Sequence, residues 1–187
     1  MKPRVHVVGV DDAPFAPDHR GDVPIVGAVF SGLRLDGVLR GRVRRDGANA
    51  TRAIADMVQG SRFAAQLQAV LLQGIAVAGF NVVDLRGLHE ELGIPVIAVA
   101  RAAPDMEAVR AALLGHVPGG RRKWGLVVAA GAMERAGRVW IQRAGIPLAE
   151  ARRLVERLAV NAGLPEPLRT AHLIAGGMAA GGSRHRA

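Results

Sequence analysis

Two aspartates, Asp11 and Asp12, stand where the apolar run 5–10 ends. A carboxylate at the end of a central strand costs free energy unless a cation or hydrogen-bond donors meet it. Hard divalent cations such as Mg²⁺ take oxygen ligands of this kind. Strand alternation sends Asp11 to the face of Val5, Val7 and Gly9, and Asp12 to the other. The competing role is local, because Asp-x-Pro (Asp12, Ala13, Pro14) caps turns. A third aspartate, Asp46, ends the run 38–46 and precedes Gly47. Arg40, Arg42 and Arg44 share its face. They can hold a phosphate backbone beside a cation, or form a solvated, ion-paired sheet face. Gln73-Gly74 closes the apolar run 69–72, and Arg101 closes the run 94–100. Asn81 and Asp84 follow a glycine-rich turn, where they suit an N-cap and a first-turn acid. The same backbone and helix start can receive a phosphate.

These positions require a sheet whose strand ends meet at one edge, which is where ligands bind in α/β sheets. Runs 5–10, 25–30 and 38–46 read as strands, with Asp36-Gly37 as the hairpin turn. A helix opens at Asn49 or Ala50 and continues to Met57, and 62–67 is helical. Strands 69–72 and 95–99 flank a helix over 82–92. Pro104 sits at the start of a helix over 105–114. Residues 118–123 read as a loop, 125–130 and 138–142 as short strands, and 147–159 as an amphipathic helix. Pro165 starts a last helix, and the chain from Gly176 reads as a frayed basic tail. Without an internal repeat or a long linker, 1–187 reads as one α/β domain: three meandering strands, then helices alternating with strands.

The motifs carry a resemblance. GVDDAPF (9–15), DGANAT (46–51), GIAVAGFNVVDL (74–85), IPVIAVAR (94–101) and PEPLRTAHLIA (165–175) together resemble the endonuclease dU family, a distant relative of endonuclease V. The resemblance implies a ribonuclease H-like, endonuclease V-like mixed sheet flanked by helices. Gly9-Val10-Asp11 matches a Gly-x-Asp pattern whose aspartate is the central metal ligand, and Asp46-Gly47 matches a second acidic position. Where the pattern has Asp-Gly after the fourth strand, this chain has Gln73-Gly74. Where it favours Asp-Ala-Thr, this chain has Asn49-Ala50-Thr51. An amide oxygen can ligate a metal but brings no charge. Arg101 replaces a lysine that ends the strand in endonuclease V, and arginine keeps the cation.

The implied activity is a Mg²⁺- or Mn²⁺-dependent endonuclease on DNA containing deaminated bases such as deoxyuridine, with RNA as the alternative polymer. Asp11, Asp46 and Gln73 form its centre, Asp11 and Asp46 hold the metal, and Arg40, Arg42, Arg44, Asn81 and Arg101 meet the nucleic acid. The two amides also allow a degenerate site, so the alternative is a non-catalytic nucleic-acid-binding homologue.

Composition bounds the remainder. The 187 residues are 50% hydrophobic, enough for a real core. The absence of cysteine excludes disulfides, thiolate metal sites and cysteine nucleophiles. The six histidines show no metal-binding spacing, and no phosphate-loop or dinucleotide fingerprint occurs. Net charge is +9, and every basic residue except Lys2 and Lys123 is arginine. This balance suits a polyanion partner, and it equally suits a compositional bias toward arginine. Aromatic residues are too few for a single-strand stacking platform. Arg121-Arg122-Lys123 reads as a solvated loop or a nucleic-acid contact, and Arg169 with His172 as packing groups on one side of the last helix. The apolar runs are too short for a membrane span. A cytoplasmic protein is expected, with the oligomeric state left open.

Overall fold

The computed structural model describes residues 5–161 and 163–180. Three strands, β1 (His6–Asp12), β2 (Asp22–Ser31) and β3 (Arg34–Arg44), lead into helix α1 (Ala50–Gln59) and strand β4 (Ala69–Gln73). A small hairpin, β5 (Ala76–Val77) and β6 (Asn81–Val82), precedes α2 (Leu85–Leu92) and β7 (Val96–Ala100). Helices α3 (Met106–His116) and α4 (Gly120–Ala129) follow, then strands β8 (Glu134–Ala136) and β9 (Val139–Ala144). The described chain ends with α5 (Leu148–Leu158), the short pair β10 (Ala159–Asn161) and β11 (Leu164–Pro165), and α6 (Glu166–Ala180).

One seven-stranded sheet runs in the order β3-β2-β1-β4-β7-β9-β8. Strands β1, β4 and β7 are parallel, and the others pair antiparallel. Parallel central strands are covered on both faces, and Val7, Val8, Val10, Val70, Leu71, Leu72, Ile97 and Val99 are accordingly buried on both sides. Glycines show which helix covers which face. A Cβ on Gly9 would overlap the backbone of Pro167 in α6, whereas one on Gly27 or Gly41 would press on Met57 of α1. Alternation from Gly9 therefore sends Asp11 toward α6 and Asp12 away from it.

Several expectations fail for physical reasons. The chain does not reverse at Asp36-Gly37. It turns at Gly32 (φ 63°), the register shifts between Val29 and Phe30, and Gly37 lies inside β3, where a Cβ would overlap the Phe63 ring. Residues 118–123 and 125–130, expected as loop and strand, together build α4. Its buried residues, Gly120, Lys123 and Val127, have helical spacing, but a lysine occupies the middle position and hides the pattern. Residues 81–82 pair as β6, so the next helix starts at Leu85 with Asp84 as N-cap, its carboxylate accepting from the Gly87 amide at 2.9 Å. The expected tail from Gly176 is partly α6, and its end, 181–187, lies outside the described residues. Among the described residues no helix is long and apolar enough to cross a membrane.

The contact at Gly9 is testable. Gly9→Ala should lower stability by about 2 kcal/mol, or about 4–8 °C in Tm for a chain of this size. Thermal unfolding of the variant checks it. An unchanged Tm would mean that α6 does not lie this close to β1.

Candidate active site at the sheet edge

Parallel strands β1, β4 and β7 end on the same edge, which brings Asp11, Asp12, Gln73 and Arg101 together there. Antiparallel pairing puts the end of β3, and with it the turn at Asp46, on that edge too.

Asp11 is the buried member, 5% exposed. One carboxylate oxygen accepts from the Asp12 amide at 2.9 Å, and the other lies 2.8 Å from Nδ1 of His172. Burial, reinforced by the Asp12 charge, raises its pKa from 3.8 to about 6, while His172 pulls the other way. Asp12 is raised as well, chiefly by burial, against the opposing backbone hydrogen bond of Ala78. Two like charges thus share the end of one strand, and His172 meets only the first.

The register carried one residue past Val10↔Leu72 places Gln73 beside Asp11 on the α6 face. Its Oε1 is buried and accepts no hydrogen bond from the described residues. A buried amide oxygen without a donor is costly, and Gln73 carries it on the same face of the sheet as Asp11.

Asp46 behaves differently from expectation. Strand β3 stops at Arg44, and Asp46 adopts φ +50° in the turn beyond it. Its amide donates to Ala78 at 2.9 Å, its Oδ1 accepts from the Phe80 amide at 2.8 Å, and its Oδ2 lies 3.3 Å from Arg45. Lys123 of α4 donates to its carbonyl at 2.5 Å. Asp11 turns to α6, whereas Asp46 ties the β5–β6 hairpin and α4 to the end of β3. The contacts do not place the two on one cation, and among the described residues no three His, Asp or Glu side chains form a metal-holding group. Asp46 and Ala78 are the two non-glycine residues of the described chain with positive φ, and they bond each other. Backbone strain gathers at functional sites when surrounding structure enforces it.

Asn81 is corrected in the same way. It is fully buried, presents no group to solvent, and leaves the capping of the helix that follows to Asp84. Its Oδ1 accepts from the Ala50 amide at 3.0 Å, and its Nδ2 donates to the Arg44 carbonyl and to Asn49 Oδ1 at 2.9 and 2.8 Å. Asn49 Oδ1 also accepts from the Arg44 amide at 3.0 Å. Both amides rivet the hairpin to the start of α1.

Arg101 is exposed at the end of β7. Arg40, Arg42 and Arg44 are exposed on edge strand β3, where Arg44 pairs with Asp22 at 3.1 Å. Asp11, Val26 and Arg40 form one row across the sheet, so Arg40 sits two strand spacings, about 10 Å, from Asp11. An apolar cavity of about 260 Å³ opens past Gly74, lined by Gly74, Phe80, Ala98, Met106, Leu113 and Gln142, with Ala98 and Gln142 in the row of Val10 and Leu72 on the face away from Asp11. Gln142 is fixed by a 2.7 Å hydrogen bond to Gly131.

Sequence reasoning missed His172, taken as a packing group, because its partner lies 161 residues away. The available signal was Gly9, which permits α6 to approach β1 closely. Lys123, expected in a solvated loop or a nucleic-acid contact, is instead buried in α4 against the Asp46 turn.

An antiparallel three-strand unit joined to parallel strands, with carboxylates at the central strand end, defines a nuclease-like fold of the endonuclease V kind. The endonuclease dU family model matches residues 3–179, and the chain belongs to that family. A UPF0215 protein of Deinococcus radiodurans is 53% identical, covering 95% of this chain and 91% of that one. A protein of unknown function from Archaeoglobus fulgidus superposes with a TM-score of 0.85 at 34% identity, over 92% of this chain and 96% of that one. Endonuclease V of Ciona intestinalis, solved with DNA containing an inosine, has a TM-score of 0.55 at 13% identity, covering 91% and 83% of the two chains. That likeness establishes the fold.

Asp11 makes stability depend on pH. Its raised folded pKa means that the folded state holds the proton more tightly than the unfolded chain. The favourable contribution is present below about pH 4 and is lost as pH rises through about 6. In chelator-treated buffer, Asp11→Asn should therefore gain stability relative to the wild type on going from pH 4 to pH 8, by up to about 3 kcal/mol. Denaturant unfolding at both pH values measures the difference. A difference that does not change with pH would contradict the buried carboxylate.

Proposed function

We propose that this protein is a metal-dependent endonuclease acting on DNA that contains deaminated bases such as deoxyuridine. The observation that carries the reading is the buried Asp11 beside Asp12 at the end of the central strand, held by His172. A divalent cation fits these groups. It would relieve the repulsion between the two carboxylates and give the orphaned Gln73 oxygen a partner. Mg²⁺ and Mn²⁺ accept one or two carboxylates and complete their shells with water. Asp11, with Asp12 or Gln73, would hold the ion, and Asp46 supports the wall of the site. When bound, the ion supplies charge stabilisation to a phosphodiester under attack.

The protein's own groups do the remaining work. His172 fixes the direction of the Asp11 carboxylate through Nδ1. Arg101 brings an invariably charged guanidinium to the edge for a phosphate. Arg40, in the row of Asp11, and Arg42, two residues further along the edge strand, hold the backbone beyond it. The apolar cavity past Gly74, on the other face of the same sheet edge, suits a single base taken out of the stack, with its walls excluding water and the Gln142 amide meeting its polar edge.

A second reading is favoured by Gln73 and Asn49, which stand in place of carboxylates. On this reading the chain binds nucleic acid without cutting it. One experiment separates the two. A labelled duplex with a single deoxyuridine is incubated with the protein and Mg²⁺ or Mn²⁺. Nicking near the lesion is expected, abolished by Asp11→Asn and increased by Gln73→Asp, which supplies a full negative oxygen. Absence of nicking with either ion, in wild type and Gln73→Asp alike, together with retained binding, selects the second reading.

Binding should also depend on salt. Each phosphate contact contributes a log–log slope of about −0.9 on duplex DNA. Arg40→Gln and Arg42→Gln should each shrink the magnitude of the slope by about that amount in fluorescence anisotropy. Slopes identical to the wild type would remove these arginines from the interface.

A further inference from the structure

We propose that the cavity between α1, α2 and the first turn of α4 is a phosphate-binding subsite in which Lys123 and Arg122 carry the charge. The cavity measures about 270 Å³, and its lining includes Thr51, Arg52, Asp84, Gly119, Arg122 and Lys123. Lys123 is 4% exposed. Its ammonium has three donors, and the hydrogen bond it makes goes to the neutral carbonyl of Asp46. Among the described residues no carboxylate lies within ion-pair distance of it. Burial lowers its pKa, and the nearby Asp46 charge acts in the other direction.

A buried ammonium whose nearby carboxylate, Asp46, is shared with Arg45 at 3.3 Å is only partly compensated in the empty protein. An anion entering the cavity would supply the missing charge. Of the two cavity carboxylates, Glu91 is paired with an arginine and Asp84 is turned to its own helix start. Asp84 accepts from the Gly87 amide at 2.9 Å, and Glu91 lies 3.6 Å from Arg52. Arg122 is exposed beside Lys123 and forms no ion pair among the described residues. At the start of α4, Gly119 (φ 68°) provides no side-chain cap; the Gly120 amide donates to the Val117 carbonyl at 3.1 Å, and the Arg121 and Arg122 amides are left for the same ligand. A tetrahedral phosphate matches three groups of this kind, two cationic side chains and a helix start.

The subsite stands without the nuclease reading. Assigning its phosphate to a nucleic-acid backbone rests on that reading, through the Lys123 contact to the Asp46 turn.

The test follows Tm against inorganic phosphate at constant ionic strength, for wild type, Lys123→Met and Arg122→Gln. Methionine keeps the length and packing of the lysine and removes its charge. The wild-type Tm should rise with the logarithm of phosphate concentration once the site fills. Lys123→Met should abolish the rise, and Arg122→Gln should shift it to about tenfold higher phosphate. A Lys123 that serves only to hold the Asp46 turn would lower the phosphate-free Tm and leave the phosphate response intact. That result overturns the proposal, as does a wild type that does not respond. If Lys123→Met fails to fold, amide shifts of Arg121 and Arg122 in the wild type and in Arg122→Gln decide the matter, and shifts that do not move with phosphate overturn it.

A second arm identifies the source, using an unphosphorylated thymidine oligonucleotide. Weakening by several-fold in Arg122→Gln assigns the subsite to a backbone diester. An unaltered oligonucleotide affinity in Arg122→Gln, with its phosphate response shifted, assigns it to a free or terminal phosphate. The nuclease reading is tested separately, through Asp11.

Discussion

The backbone of α6 lies directly against β1 at Gly9, and the rest of the sheet edge depends on that contact. A side chain at this position would lift the helix by the thickness of a methyl group. With the helix in place, His172 comes to 2.8 Å from a carboxylate that would otherwise be buried without a donor on that side. Asp11 is then the central residue of a row that extends to Gln73 in one direction and to Arg40 in the other. Close packing therefore fixes the electrostatics, because the distance between α6 and β1 sets how well the buried charge is satisfied.

A second constraint works on the opposite face. Asp46 and Ala78 both take left-handed backbone conformations and bond each other, and a Cβ on Gly79 would overlap the Asp46 carboxylate. Asn81 and Asn49 tie the same turn to the start of α1, and Lys123 ties it to α4. These bonds offset conformations that cost about 1–3 kcal/mol each when unsupported. The result is a turn braced from the β5–β6 hairpin, α1 and α4 at once. Rigidity of this kind suits a site that must hold a phosphodiester in one position.

Much of this was legible in the chain. The strands β1, β4 and β7 follow from apolar runs, and their polar terminators mark the edge. The antiparallel start and parallel additions set the fold class. What escaped the sequence depended on distance or on an atypical residue. His172 meets Asp11 only after the whole sheet has formed. Asn81 has the sequence signature of a helix cap, yet two residues of hairpin pairing bury it. The spacing of α4 is helical, but Lys123 fills a position that an apolar side chain would normally take. The Asp36-Gly37 pair has the composition of a turn, and the glycine is needed instead for the Phe63 ring.

The distribution of buried charge carries the argument one step further. Asp11 is buried and Asp12 half-buried as like charges at the end of β1, while Lys123 is buried with a neutral carbonyl as its hydrogen-bond acceptor. The chain thus contains cation and carboxylate at one edge, and the Asp46–Ala78 turn intervenes between them. Pairing them would stabilise the empty protein and consume the charge of both. Keeping them apart leaves a negative pole suited to a hard cation and a positive pole suited to phosphate. A phosphodiester brought to a divalent cation presents both of those partners at once, so the instability built into the empty edge is of the form that such a complex would relieve.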